Sequence, residues 1–188
     1  MKKYSVRLKK NEEKVLPIVW VDGKENNIEV SAVLNEGSSL RIVGLFLGSG
    51  QNSIIFNSNV EHKGKNSFSR TDIRGVFKDH SNFSNDGLVV IRKGAKGADG
   101  FFSSKILLFD NAKGRSVPSL EIDENELKAG HASTVGRPDE NQLFYLRSRG
   151  LSEKEAEKLL VSGFFDPLIK MLPDNVRSNI KNKIDENL

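Results

Sequence analysis

The sequence predicts a mainly β body followed by an α-helical cap, and three observations carry that prediction. Short runs before residue 136 alternate apolar and polar side chains, as in Tyr4, Val6 and Leu8 or Ile28, Val30 and Ala32. That period of two is the mark of a strand with one buried face. Connections rich in Gly, Asn and Asp separate the runs, and these residues accept the tight and left-handed turns that strands need. After Pro138 the apolar spacing changes to three and four residues, which is the helical period.

Taken in order, strands are expected at 4–8, 15–21, 28–34, 39–47, 52–57, 67–76, 87–92, 105–109 and 117–122. The passage 120–150 then reads as strand, turn, strand and the opening of a helix, which divides the chain into a body, 1–136, and a cap, 137–188. No stretch before Pro138 has a convincing helical period, which argues against a parallel sheet built on crossover helices. Two architectures fit these residues. A sandwich or barrel would join the strands by hairpins and Greek-key links. A parallel β-helix would place Gly and Asn at corners between stacked short strands, and the 18-residue separation of His62 and His80 suits one coil. An apolar share of 37% beside 29% charged residues favours the elongated form, which has more surface per residue.

In the cap, Pro138 opens a helix expected to bury Leu143, Phe144 and Leu146 and to stop near Gly150. Ser152 caps the next helix, with Glu155 placed to close a capping box. Its apolar stripe is read as Ala156, Leu159, Leu160, Gly163 and Phe164, and Asp166-Pro167 either breaks the run or starts another turn. Val176, Ile180, Ile184 and Leu188 mark the last helix. Phe164, Phe165, Leu168, Ile169 and Met171 either pack internally or anchor a protein partner.

Composition excludes several chemistries. There is no cysteine, so disulfides, thiolate metal sites, cysteine nucleophiles and a persulfide relay on this chain are ruled out. Net charge is a mild +4, with six of the cations within the first fourteen residues, which argues against a nucleic-acid surface. The basic start lacks an apolar signal core, and no run is long enough to cross a membrane. The expected location is the cytoplasm. Gly94–Gly100 lacks the order of a phosphate-binding loop and precedes no helix, so it reads as a bend. No HExxH spacing and no nucleophile elbow is present. His62 is expected in an exposed polar turn. His80, beside Asp79, is either a locally satisfied turn residue or half of an Asp–His pair. A lyase-type enzyme would require Asp72, Arg74, Lys78 and Asp79 to converge on a cleft.

From about residue 27 to 165, and most strongly after Asn66, the sequence resembles the SufB/SufD family of iron–sulfur cluster assembly proteins. The ordered segments NSFSRTDIRGVFKDHS, KGAKGADGFFSSKILLFDNAKGRSVPSLEI and LKAGHASTVGRPDENQLFYLRSRGLSEKEAEKLLVSGFF carry the resemblance. It implies a right-handed parallel β-helix with a C-terminal helical domain. It further implies pairing through the β-helix with a SufB-like subunit or a second copy, and a SufC-like ABC ATPase docked on the cap around 151–172. Typical members carry a longer N-terminal region, whereas here the β pattern begins almost at Met1.

The family commonly has a cysteine two residues before the histidine of LKAGHAST. That position is Ala129 here, and the histidine is His131. The resemblance therefore makes His131 the candidate ligand for iron or for a transient iron–sulfur cluster within a complex, with no cofactor held stably by this chain alone. A neutral imidazole can ligate through one ring nitrogen, but one isolated ligand needs others from a partner. Lacking a thiol, the chain suits the SufD-like role of a non-catalytic scaffold, or that of a diverged paralogue that has lost cluster function. A standalone β-helical module for carbohydrate or nucleic acid is the alternative, and it would show a groove of stacked aromatics or aligned cations.

Overall fold

Ten strands precede three helices in the computed structural model, which describes the whole chain, Met1–Leu188. The strands are β1 (Lys2–Leu8), β2 (Glu13–Val21), β3 (Asn27–Leu34), β4 (Ser39–Gly48), β5 (Ser53–His62), β6 (Phe68–Phe77), β7 (Asn82–Ile91), β8 (Asp99–Leu108), β9 (Lys113–Ile122) and β10 (Lys128–Gly136). The helices are α1 (Glu140–Ser148), α2 (Glu153–Ile169) and α3 (Asp174–Asp185). Odd strands form one five-stranded sheet, β1-β3-β5-β7-β9, and even strands form the other, β10-β8-β6-β4-β2. Every pairing is parallel. The body is therefore a two-sheet parallel β-solenoid, and the β-helix expectation holds where the sandwich and barrel fail. Parallel strands usually need a helical crossover; here each crossover is a strand of the opposite sheet.

Lys2 lies beside Ile28, Asn27 beside Ile55 and Asn82 beside Lys113, so one coil takes about thirty residues. The separation of His62 from His80 is thus not a coil. It spans one corner and one strand of the opposite sheet. Strands β7 and β8 also begin earlier than their apolar halves suggest, because Asn82–Asp86 and Asp99–Ser104 are held by neighbours on both sides of the ladder. A polar segment reads as loop from sequence, and tertiary pairing overrides that preference.

The corners repeat a small device. Asp79 and Asp110 adopt φ of 57° and 50°, a left-handed conformation that Asp tolerates better than most residues. The Asp79 carboxylate accepts the Gly50 N–H at 2.7 Å, and that of Asp110 accepts the Asp79 N–H at 3.0 Å. Each coil thus satisfies a backbone donor of the coil before it.

The inward faces of both sheets fill the lumen with a cluster of 24 buried residues. Phe46 sits 5.1 Å from Phe56 and 5.2 Å from Phe83, and Phe77 lies 5.0 Å from Phe83, separations at which tilted rings attract. Room for such rings comes from inward glycines. A Cβ at Gly87 would collide with the Phe102 ring, and one at Gly48 would stand 2.6 Å from Phe77.

His62 corrects the sequence reading. It ends β5 on the inward face and is fully buried. Ser67 donates to the Gly64 carbonyl at 2.8 Å, so its oxygen accepts from Nδ1 of His62 at 2.8 Å. Nε2 then accepts from Ser69 at 2.7 Å. Burial pushes the imidazole pKa from 6.5 down to about 4, against smaller opposing effects of Asp99 and the Ser67 backbone.

A second cluster of 12 residues joins the outer face of the even-stranded sheet to the cap. Ser152 and Glu155 form the expected capping box. The buried stripe of α2 is Ala156, Val161, Phe165, Leu168 and Ile169, rotated from the expected one, and Pro167 lies inside the helix. Pro167 removes one backbone donor near the helix end, and packing of Phe165, Leu168 and Ile169 on the sheet holds the last turn in place. Those three are therefore core residues and not partner anchors. No residue of α1 is buried, and Phe144 is 74% exposed.

Replacing Phe46 with alanine is expected to cost about 3–5 kcal/mol in denaturant unfolding. Gly87→Ala should cost about 1–3 kcal/mol, since the methyl overpacks Phe102. For His62, the unfolded chain takes up a proton more readily than the folded one. Stability is therefore complete above pH 6.5, falls as pH drops towards 4 by up to about 3 kcal/mol, and levels off below. In His62→Gln this acid limb should flatten in pH-dependent melting curves.

Candidate functional site

Strands β9 and β10 end their sheets, and each has a neighbour on one side only. Ile122 lies beside Ile91 and Val135 beside Ile106 in the ladders. Ile91 and Ile106 are 0% and 1% exposed, whereas Ile122 and Val135 are 44% and 36% exposed. Equivalent positions thus lose their cover for want of a further coil. Apolar side chains and the free backbone edges of β9 and β10 make this end of the solenoid a surface suited to another chain.

His131 stands on this uncovered end. Its ladder neighbour is Phe102, which is buried, so His131 shares the inward face of the coil. It is nonetheless exposed, because nothing lies over β10. Ala129, two residues earlier, shares that face and packs at the rim of the core. No three His, Cys, Asp or Glu side chains come together where they could hold a metal ion. The imidazole is available to a partner but has no companion ligand in its own chain.

The other sequence candidates separate. His80 lies in an exposed turn, and the Asp79 carboxylate beside it is engaged with Gly50 instead. Gly94 and Gly97 take φ of 92° and 75° in the bend before β8. Asp72, Arg74, Lys78 and Asp79 do not converge on a cleft. Asp72 pairs with Arg41 at 3.4 Å under the cap, and burial pushes its carboxyl pKa up despite Arg41, Arg70 and Arg74. Arg74 donates to the Phe164 carbonyl and covers its ring at 5.1 Å. Lys78 reaches Glu157 at 3.4 Å. Arg74 and Lys78 thus fasten α2 to the sheet while Asp72 and Asp79 are engaged elsewhere, so the lyase-type arrangement is absent. The groove on the odd-stranded sheet, among Glu29, Asn57, Asp86 and Arg115, has no aromatic lining and offers no stacking platform.

Between α1 and α2 runs a groove of about 630 Å³, floored by Leu107 and walled by Tyr145, Leu146, Leu159, Leu160 and Phe164. Tyr145 and Leu159 are 56% and 52% exposed. Leu159 belongs to the stripe that the sequence predicts as buried, and Tyr145 carries no sequence prediction. The available signal was the pair Phe144-Tyr145 on a short helix too polar to bury both. No helix is long and apolar enough to cross a membrane.

Comparison with known proteins places this geometry. Residues 17–164 match the family described as SUF system FeS cluster assembly, SufBD core domain. The Bacillus subtilis iron-sulfur cluster assembly protein SufD is 38% identical over 128 residues, covering 68% of this chain and 29% of that protein. An iron-sulfur cluster assembly SufBD family protein of Mycobacterium leprae is 34% identical over 158 residues, covering 84% of this chain and 17% of that one. Another from Mycobacterium bovis is 46% identical over 105 residues, covering 54% and 26%. The chain thus spans less than a third of the length of these relatives. The matched region takes in the solenoid from within β2 onward, its uncovered last coil with His131, and the parts of α1 and α2 that form the groove, and the chain belongs to the SufBD core family as a SufD-like member without cysteine.

Proposed function

We propose that this chain is a non-catalytic scaffold subunit for iron–sulfur cluster assembly, with its solenoid, 1–136, as the pairing body and its cap, 137–188, as the docking element. The observation that carries this reading is the uncovered closing coil, where Ile122, Val135 and His131 stand exposed at positions that earlier coils bury. A SufB-like subunit or a second copy covers this end in the paired state, and the free edges of β9 and β10 supply backbone donors and acceptors to it. His131 then contributes one nitrogen ligand to iron or a cluster passing through the assembly, and the partner supplies the remaining ligands. The cluster is cargo, and the absence of cysteine leaves sulfur acceptance to the partner.

The cap carries a SufC-type ABC ATPase, and the groove between α1 and α2 supports this role better than the residues buried under α2. Tyr145 and Leu159 combine exposure with an apolar floor, as interface anchors do. Nucleotide chemistry belongs to the ATPase.

Sedimentation of the chain with a SufB-like subunit, and alone, tests the pairing. A dimeric species is expected, and Ile122→Lys with Val135→Lys should return it to monomer without lowering the melting temperature. Monomer under both conditions would contradict the reading. In the reconstituted complex His131→Ala should lower bound iron and alter the visible spectrum, and unchanged values would remove the ligand role. Tyr145→Ala with Leu159→Glu should weaken calorimetric binding of the ATPase about tenfold or more, about 1.4 kcal/mol, while Leu168 variants act through stability of the cap.

A further inference from the structure

The lumen changes character along the chain. Its first coils present mainly Val, Leu and Ile; Ser58, His62, Ser69 and Thr71 enter at β5 and β6, and the last two coils place Asn85, Ser104, Ser116 and Ser133 on inward positions. Asn85 and Ser104 face each other across the lumen, with Ser104 Oγ 3.5 Å from Asn85 Oδ1. Ser116 is the ladder neighbour of Asn85 and Ser133 that of Ser104, each about 4.8 Å away along the hydrogen-bonding direction. Four polar side chains thus form a ring spanning two coils. Asn85 is 0% and Ser104 1% exposed. Asn85 Nδ2 and Ser116 Oγ are shielded from solvent and have no hydrogen-bond partner in the protein, and neither does Ser58 Oγ one coil earlier. Exchanging the amide atoms of Asn85 turns Nδ2 towards Ser104 and leaves Oδ1 unpartnered instead. Buried polar atoms in folded proteins are almost always satisfied, and water is what satisfies them where side chains do not.

We propose that this ring is a binding site for ordered water inside the closing coils. The Asn85 amide and the Ser116 hydroxyl are its principal ligands. Water meets the site's need for a small molecule that both donates and accepts, since the ring offers an amide and three hydroxyls but no charge. Ser133 is exposed on β10, two residues beyond His131 on the same face, so the ring opens towards the end of the solenoid where that imidazole stands. The closing coils are hydrated within.

Magnetic resonance of the 15N-labelled chain tests the site. Cross-peaks between long-lived water and the Asn85 side-chain amide are expected, and a resolved Asn85 amide without them overturns the proposal. Melting supplies a second reading. Around bound water, Asn85→Leu expels the water and strands Ser104 and Ser116, so the midpoint falls. In a dry ring the same change removes an unpartnered amide, and a raised midpoint overturns the proposal. Should Asn85→Leu fail to fold, Ser116→Ala at the exposed end serves instead: weakened water cross-peaks support the site, and unchanged ones overturn it.

Discussion

The parallel hydrogen-bond ladder between successive coils is the interaction on which the rest of this structure depends. Once β1 pairs with β3 and β2 with β4, each later strand has its register set by the one before it. Inward positions then stack on inward positions, and corners on corners. This explains how a chain with only 37% apolar residues fills a lumen, since nearly half of each strand can remain polar on the outer face. It also explains why Asp79 and Asp110 sit in left-handed conformations, each tying its corner to the coil before.

A ladder must end, and its end is chemically unlike its middle. Coils in the middle have a neighbour on each side, whereas β9 and β10 have one. The exposure of Ile122, Val135 and His131 follows from that position, since their ladder neighbours Ile91, Ile106 and Phe102 are buried. The cap does not cover this end. It lies instead on the outer face of the even-stranded sheet through Phe165, Leu168 and Ile169, and Arg74 and Lys78 hold it there. The arrangement leaves the end of the solenoid and the groove between α1 and α2 as two separate surfaces.

Much of this was legible in the sequence, for reasons that differ by element. Strands with apolar alternation, such as β1 and β3, announced themselves, and so did the capping box of Ser152 and Glu155 and the four-residue spacing of α3. The polar halves of β7 and β8 did not, because their strand character comes from neighbours about thirty residues away. His62 was misplaced for the same reason: its turn-like surroundings hid an inward position that only the register defines. In α2 the two possible apolar stripes, through Leu159 and through Val161, are nearly equal in sequence. Contact with the sheet chooses the second. His131 could be singled out only by family resemblance, since nothing in its local pattern distinguishes a ligand from a packing residue.

Hydrogen exchange across the last coil tests the central claim most directly, because it reads the ladder residue by residue. The account predicts that β9 and β10 exchange much faster than β4 and β6 in the isolated chain, and become protected when a SufB-like subunit or second copy binds. Equal protection of β10 and β6 in the isolated chain, or no gain in protection in the complex, would contradict it.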